Sequence, residues 1–242
     1  MEVETPLIIA HRGASSIAPE NTRSSIVAAI GEKAPVIEFD VRQTTDGELV
    51  LFHDEDFERL AGREGSVEAV DWKEFGALDV GRWFGDGKFA GENPIRMSLA
   101  IQLCLGGGVI PLIERKSGSA SAYAEAIREL EAERKVIVQS FDWAFLREMQ
   151  REMPDLSIGA LGSKKLSSDR IGELEDMGPA WVGWKFSDLR TPDLAKLHDL
   201  GFRVALWTVN DPAVAKRWLE AGIDGIITDR PAEMIRQLES VD

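Results

Sequence analysis

His11 ends a short apolar run, Leu7-Ile8-Ile9-Ala10, and is followed by Arg12 and Gly13. His53 ends a second run, Leu49-Val50-Leu51-Phe52. Between them, Ile37-Glu38-Phe39-Asp40-Val41 carries two carboxylates at i and i+2, a spacing that turns both to one face of a strand. Glu114 closes a further apolar run, and Lys116 follows two residues later. Acids inside apolar strands are costly unless paired or metal-bound. Three such carboxylates suit a hard divalent cation with oxygen ligands, Mg²⁺ or Ca²⁺, rather than zinc. Two histidines beside that cation suit acid–base chemistry on a phosphate ester.

Other reactive side chains read more blandly. His198, the third and last histidine, falls in a helical pattern and is expected on an outer helix face. Cys104 is the only cysteine; its apolar helical surroundings predict buried packing rather than a nucleophile, and its solitude excludes an internal disulfide. Gly106-Gly107-Gly108 lacks the Lys-Ser/Thr of a phosphate loop and reads as a turn.

Strands that could carry the acids and histidines are expected at 7–10, 36–41, 48–52, 109–114, 136–140, 157–161, 181–185, 203–208 and 225–228. Helical patterns lie between them, several opened by a capping residue or an early proline, as at Ser119, Asp142, Thr191-Pro192 and Asp211-Pro212. That beat predicts parallel βα units and an α/β fold, a TIM (β/α)₈ barrel, which the 242 residues suit. The ninth strand is surplus. Asp46-Gly47 resolves it as a hairpin whose return strand sets His53 opposite Asp40. Active sites in such barrels lie at the C-terminal strand ends, where His11, Glu38, Asp40, His53, Glu114 and Trp207 all fall.

A single domain is expected over residues 1–242, with an insertion at about 54–97 where the βα beat fails. Its Trp72, Trp83, Phe84 and Phe89 argue against disorder and for a small subdomain over the barrel mouth. Trp207 and the aromatics of residues 81–91 are expected to wall the substrate pocket from two sides. A net charge of −14 disfavours nucleic acid and anionic membranes as partners, and requires any site for an anionic substrate to reverse the sign locally. The acidic first six residues and the short apolar run after them predict no targeting segment and no membrane span, no stable membrane association is expected, and the single cysteine, Cys104, makes a cytoplasmic location the expectation. The oligomeric state stays open.

Over nearly its whole length the chain resembles the glycerophosphodiester phosphodiesterases. The likeness runs through His11-Arg12-Gly13, Pro19-Glu20-Asn21-Thr22, Ile37-Glu38-Phe39-Asp40-Val41, Thr45-Asp46-Gly47, Phe52-His53-Asp54, Ile113-Glu114-Arg115-Lys116, Ser140-Phe141, Trp207-Thr208-Val209-Asn210 and Gly225-Ile226-Ile227-Thr228-Asp229. It implies hydrolysis of a small glycerophosphodiester to glycerol 3-phosphate and an alcohol. It also implies a divalent cation, Mg²⁺ or Ca²⁺, held by Glu38, Asp40 and Glu114, with His11 and His53 as the acid–base pair. Arg12 and Lys116 are implied near the phosphate. Two stretches depart from the family pattern. Ile95-Arg96-Met97-Ser98-Leu99 replaces a Pro-Thr-Leu-like signature, and Arg115 stands where an apolar residue is usual. Neither touches an expected ligand, and both leave the head-group alcohol open. The alternatives are a lysophospholipase D-type activity on the same scaffold and a barrel that only binds a phosphorylated ligand. A complete acid–base pair argues against the latter.

Overall fold

The computed structural model describes residues 6–239. The acidic start of the chain, on which the targeting expectation rests, lies almost wholly outside them. In chain order the elements are β1 (Leu7–Ala10), α1 (Arg23–Gly31), β2 (Val36–Gln43), β3 (Leu49–Leu51), α2 (Glu58–Ala61), α3 (Trp72–Phe75), α4 (Met97–Gly106), β4 (Ile110–Arg115), α5 (Ala120–Glu129), β5 (Ile137–Ser140), α6 (Trp143–Glu152), β6 (Ser157–Gly162), α7 (Ser168–Met177), β7 (Trp181–Lys185), α8 (Thr191–Asp199), β8 (Arg203–Trp207), α9 (Pro212–Glu220), β9 (Gly225–Thr228) and α10 (Pro231–Glu239). Single 3₁₀ turns lie at Val67–Ala69 and Gly85–Gly87.

All the strands but β3 run parallel and close on themselves, because β1 pairs with β9 on one side and β2 on the other. The chain is the TIM barrel that the βα beat predicts. Alternation along the strands fills its inside with Leu7, Ile9, Val36, Leu112, Ala205 and Ile227. The same inward rows then reach Glu38, Asp40, Glu114 and Gln139, all buried. A second apolar layer, including Ile37, Phe39, Ile113 and Val138, packs outward against the helices. Cys104 lies in that layer, with burial pushing its thiol up to about 12, so it is inert packing. Asp142 and Ser119 cap their helices as expected, whereas α8 is capped one residue early, at Arg190, whose backbone N–H donates to Asp193.

The hairpin differs from expectation by one residue. Val41 pairs with Leu51 and Arg42 with Val50, so Asp40 meets Phe52, whose N–H donates to the Asp40 carbonyl at 3.0 Å. The loop holds three residues, 45–47, rather than two. Thr44 N–H donates to the Glu48 carbonyl, the Thr44 hydroxyl reaches Asp46, and Gly47 supplies the positive φ of 91° that closes it.

Past the barrel rim, β3 leads into the insertion, which has a core of its own. Phe52 meets Phe57 and Phe75 edge-on at 5.8 and 5.6 Å, with Val50, Leu60, Val67, Leu78 and Val80 around them. Phe52 is anchored there, and His53 is delivered to the mouth as the next residue. Arg42 holds it by donating from Nε and Nη2 to the His53 carbonyl at 3.1 and 2.9 Å.

Candidate active site

A cavity of about 280 Å³ opens at the C-terminal ends of the strands. His11, Arg12, Glu38, His53, Glu114, Lys116 and Trp207 line it, together with Gln139, Phe141 and Leu161. Asp40 lies beneath, with no exposed surface. Carboxylate oxygens of Glu38, Asp40 and Glu114 come within 4.8 Å of one another. The expected ligands, histidines and basic residues, together with Trp207, are therefore brought to one place.

The loop after β1 makes this possible. Arg12 and Gly13 both take positive φ, 56° and 82°, and turn the chain sharply inward. A Cβ on Gly13 would sit 2.6 Å from Ser25, so only glycine fits against α1. The turn aims the Arg12 N–H at Glu38 Oε2, 2.8 Å away. It also brings the Arg12 guanidinium to Glu20 at 2.7 Å and to Asp40 at 3.0 Å. Asn21 clasps Asp40 twice, donating from Nδ2 to Oδ2 at 2.8 Å and accepting its backbone N–H at 3.0 Å. Lys116 pairs with Glu114 and stands 3.1 Å from Asp40 Oδ1.

Electrostatics divide the three acids. Burial, then the neighbouring charges of Asp40 and Glu114, raise Glu38 well above the usual carboxylate range. Burial and Asp40 likewise raise Glu114 to about 6. Asp40 is equally buried, but Arg12 and Lys116 outweigh that burial and hold its carboxyl well below the ordinary value. Two cationic side chains do not fully offset three buried carboxylates. Glu38 Oε1 is buried with no hydrogen-bond partner, and Asp40 Oδ1 is buried with only the Lys116 ion pair beside it. An under-satisfied buried carboxylate in a cluster of three acids this close fits a bound divalent cation, which would let all three acids ionise.

Each cavity histidine leans on a carboxylate. His11 Nδ1 meets Asp229 Oδ1 at 2.6 Å, and Asp229 is fixed further by Ser15 and Asn210. Burial of Asp229 is outweighed by its bond to His11 and that ring's charge, and its carboxyl sits at about 2. His53 Nδ1 meets Asp54 Oδ1 at 2.7 Å. Burial is the main influence on His53 and holds its imidazole below the ordinary value. With Nδ1 engaged on both rings, Nε2 is left for proton exchange. The sequence argument missed Asp229, Asp54, Asn21 and Glu20 as site residues. Asp229 had a signal: an acid directly after a buried strand, the position His11 occupies after β1.

His198 lies away from the cavity, bonded to Asp224 at 2.7 Å, as expected of an outer helix face. The aromatic wall is a correction. Phe141 joins Trp207 at the cavity, edge-on at 5.4 Å, while no residue of 81–91 lines it. Trp83, Phe84 and Phe89 stack on one another instead at 5.3 and 5.6 Å. Their segment folds back on itself around Asp79, which accepts from Gly81, Arg82 and Gly91.

The Glycerophosphoryl diester phosphodiesterase family profile matches residues 11–233. A glycerophosphodiester phosphodiesterase of Caldanaerobacter subterraneus subsp. tengcongensis is 34% identical over 95% of this chain and 96% of its own. A solved structure from Silicibacter pomeroyi DSS-3 is 29% identical and superposes with a TM-score of 0.90, over 99% of this chain and 95% of that one. An Oleispira antarctica phosphodiesterase, solved with its product sn-glycerol-3-phosphate, has a TM-score of 0.89 over 97% of both chains. At 24% identity, that last likeness is one of fold.

Proposed function

The chain belongs to the glycerophosphoryl diester phosphodiesterase family, and from that premise we propose that it hydrolyses glycerophosphodiesters to glycerol 3-phosphate and an alcohol, with His11 and His53 as proton carriers beside a divalent cation. The observation that carries this reading is the convergence of both histidines, each with a free Nε2, on the same cavity as three mutually facing carboxylates.

Glu38, Asp40 and Glu114 would hold Mg²⁺ or Ca²⁺, which when bound supplies charge to offset that developing on the phosphoryl oxygens. Arg12 and Lys116 reach the same cavity and supply the local positive charge that an acidic protein needs to receive a phosphodiester. One histidine takes a proton from the nucleophile, and the other returns one to the departing alkoxide. Asp229 and Asp54 keep each ring in the tautomer with the proton on Nδ1, so Nε2 begins as acceptor on a neutral ring and as donor on a charged one. The nucleophile is water or the 2-hydroxyl of the substrate glycerol. Trp207 Nε1, a buried donor with no partner, and Gln139 on the cavity wall suit the glycerol hydroxyls.

Incubation with glycerophosphocholine tests the reading. Glycerol 3-phosphate and choline should appear with Mg²⁺ or Ca²⁺ and stop with a chelator. Full turnover after exhaustive chelation would remove the cation from the scheme. Release of phosphocholine and glycerol instead would place the cleavage on the wrong ester bond.

A further inference from the structure

Arg59 stands outside the reaction cavity, on the single turn α2 of the insertion, with its side chain 44% exposed. Each of its three side-chain nitrogens is nevertheless engaged. Nη1 and Nη2 donate in parallel to Glu20 Oε2 and Oε1, both at 2.7 Å, and Nε donates to Asp54 Oδ2 at 2.6 Å. Each acceptor has a second task. The other oxygen of Asp54 holds His53 Nδ1, and Glu20 Oε1 also accepts from Arg12 Nη1 at 2.7 Å. Glu20 is only 9% exposed, so its position between two guanidinium groups is a fixed one.

We propose that Arg59 is a positioning residue for the reaction, one guanidinium that sets both the proton-transfer ring of His53, through Asp54, and the phosphate-binding Arg12, through Glu20. The proposal rests on the roles given above to His53 and Arg12. An isolated exposed ion pair would be worth little. Here a bidentate grip ties the insertion to the loop between β1 and α1, a third bond holds Asp54 at the insertion's own start, and the groups at the far ends do the chemistry.

The two arms of the network have different kinetic signatures. Glu20→Gln loosens Arg12 and should chiefly raise KM. Asp54→Asn loosens His53 and should chiefly lower kcat. Arg59→Ala should do both, lowering kcat/KM by roughly 10–100-fold, the scale of a small misplacement of reacting groups. Added to the Asp54→Asn/Glu20→Gln double variant, it should cost less than about threefold, because residues acting as one unit are not additive.

The measurement is kcat and KM for these variants on glycerophosphocholine and on glycerophosphoglycerol, whose leaving alcohols differ in charge. An equal loss on both substrates, abolished in the double-variant background, supports the proposal. Undiminished kinetics in Arg59→Ala would overturn it. So would a loss confined to one alcohol, which would make Arg59 a direct contact of the head group. A full loss repeated in the double-variant background would overturn it too. Should Arg59→Ala not fold, Arg59→Lys carries the test. It keeps the charge but not the three-point grip, and about a tenfold loss is expected; unchanged kcat and KM would overturn the proposal equally. His53→Ala and Arg12→Ala are the controls. Intact turnover in either would strike down the roles beneath the proposal, whereas impairment of both beside an active Arg59→Ala strikes down the proposal alone.

Discussion

Asp40 and Glu38 sit two residues apart, are equally buried, and are held in opposite directions by their neighbours. Arg12, Lys116 and Asn21 keep Asp40 ionised, while Glu38 favours its proton until more positive charge arrives. Asp40→Asn or Glu38→Gln should therefore abolish cation-supported turnover, and calorimetry should show no heat on titration with Mg²⁺ or Ca²⁺. Circular dichroism should be unchanged, since both substitutions keep the side chain's shape; Glu38→Gln replaces an acid that already favours its neutral form, whereas Asp40→Asn also gives up the ion pairs to Arg12 and Lys116 and should lower the melting temperature. His11→Ala and His53→Ala should each cost at least ~10²-fold in kcat, the usual scale for a general acid or base, with His198→Ala silent. Trp207→Phe keeps the ring and deletes a buried donor. It should raise KM for glycerophosphocholine, yet leave unchanged the hydrolysis of an analogue that keeps the 2-hydroxyl but lacks the terminal glycerol hydroxyl, if that hydroxyl is the one Trp207 holds. Equal effects on the two substrates would make Trp207 simple wall packing.

At the level of elements, the hairpin and the insertion work as one part. Phe52 is planted among Phe57 and Phe75, and His53 follows it into the mouth. Phe57 is fully buried, so Phe57→Ala should destabilise by about 3–5 kcal/mol and lower kcat by releasing the base of His53. The aromatics of 81–91 belong to a different part. Trp83 is 42% exposed, and each edge-on pair there is worth about 1 kcal/mol. Trp83→Ala with Phe89→Ala should lower the melting temperature by a few degrees and leave KM within about twofold. A changed preference among alcohols would restore the wall expected from sequence. That expectation went astray for a physical reason. Apolar content shows that a segment packs, but not which surface it packs on, and Asp79 gathers three backbone N–H groups that curl this one onto itself.

For the whole molecule, the barrel and the gathering of His11, Glu38, Asp40, His53 and Glu114 at its mouth were legible because strand alternation and strand ends are local properties. His11, Glu38, Asp40 and Glu114 each declare themselves within a few residues. What local pattern does not encode is the partner across the fold, so Asp229 on His11 and Glu20 on Arg59 emerged only in three dimensions. The hairpin register slipped because Thr44 recruits Asp46 and adds a residue to the loop. The cluster also couples the cation to pH. Glu114 has a folded value near 6 against 4.5 when free, so between those limits the native chain binds the extra proton and metal-free stability falls as pH rises. His53, held low, pulls that baseline the opposite way below its free value of 6.5. The clean measurement is thus the shift in melting temperature that added Mg²⁺ or Ca²⁺ produces at each pH. It should be larger at pH 7.5 than at pH 5, where protons compete for the ligands; an equal shift at both would mean the cation binds elsewhere. Finally, the His11–Asp229 bond joins positions 218 residues apart and spans the seam where β1 meets β9. A ribosome adding 5–20 residues per second needs roughly 10–40 s to travel from one to the other. Throughout that interval the emerging chain carries its first histidine without the carboxylate that orients it. Turnover during synthesis should then start only after β9 and Asp229 have left the exit tunnel.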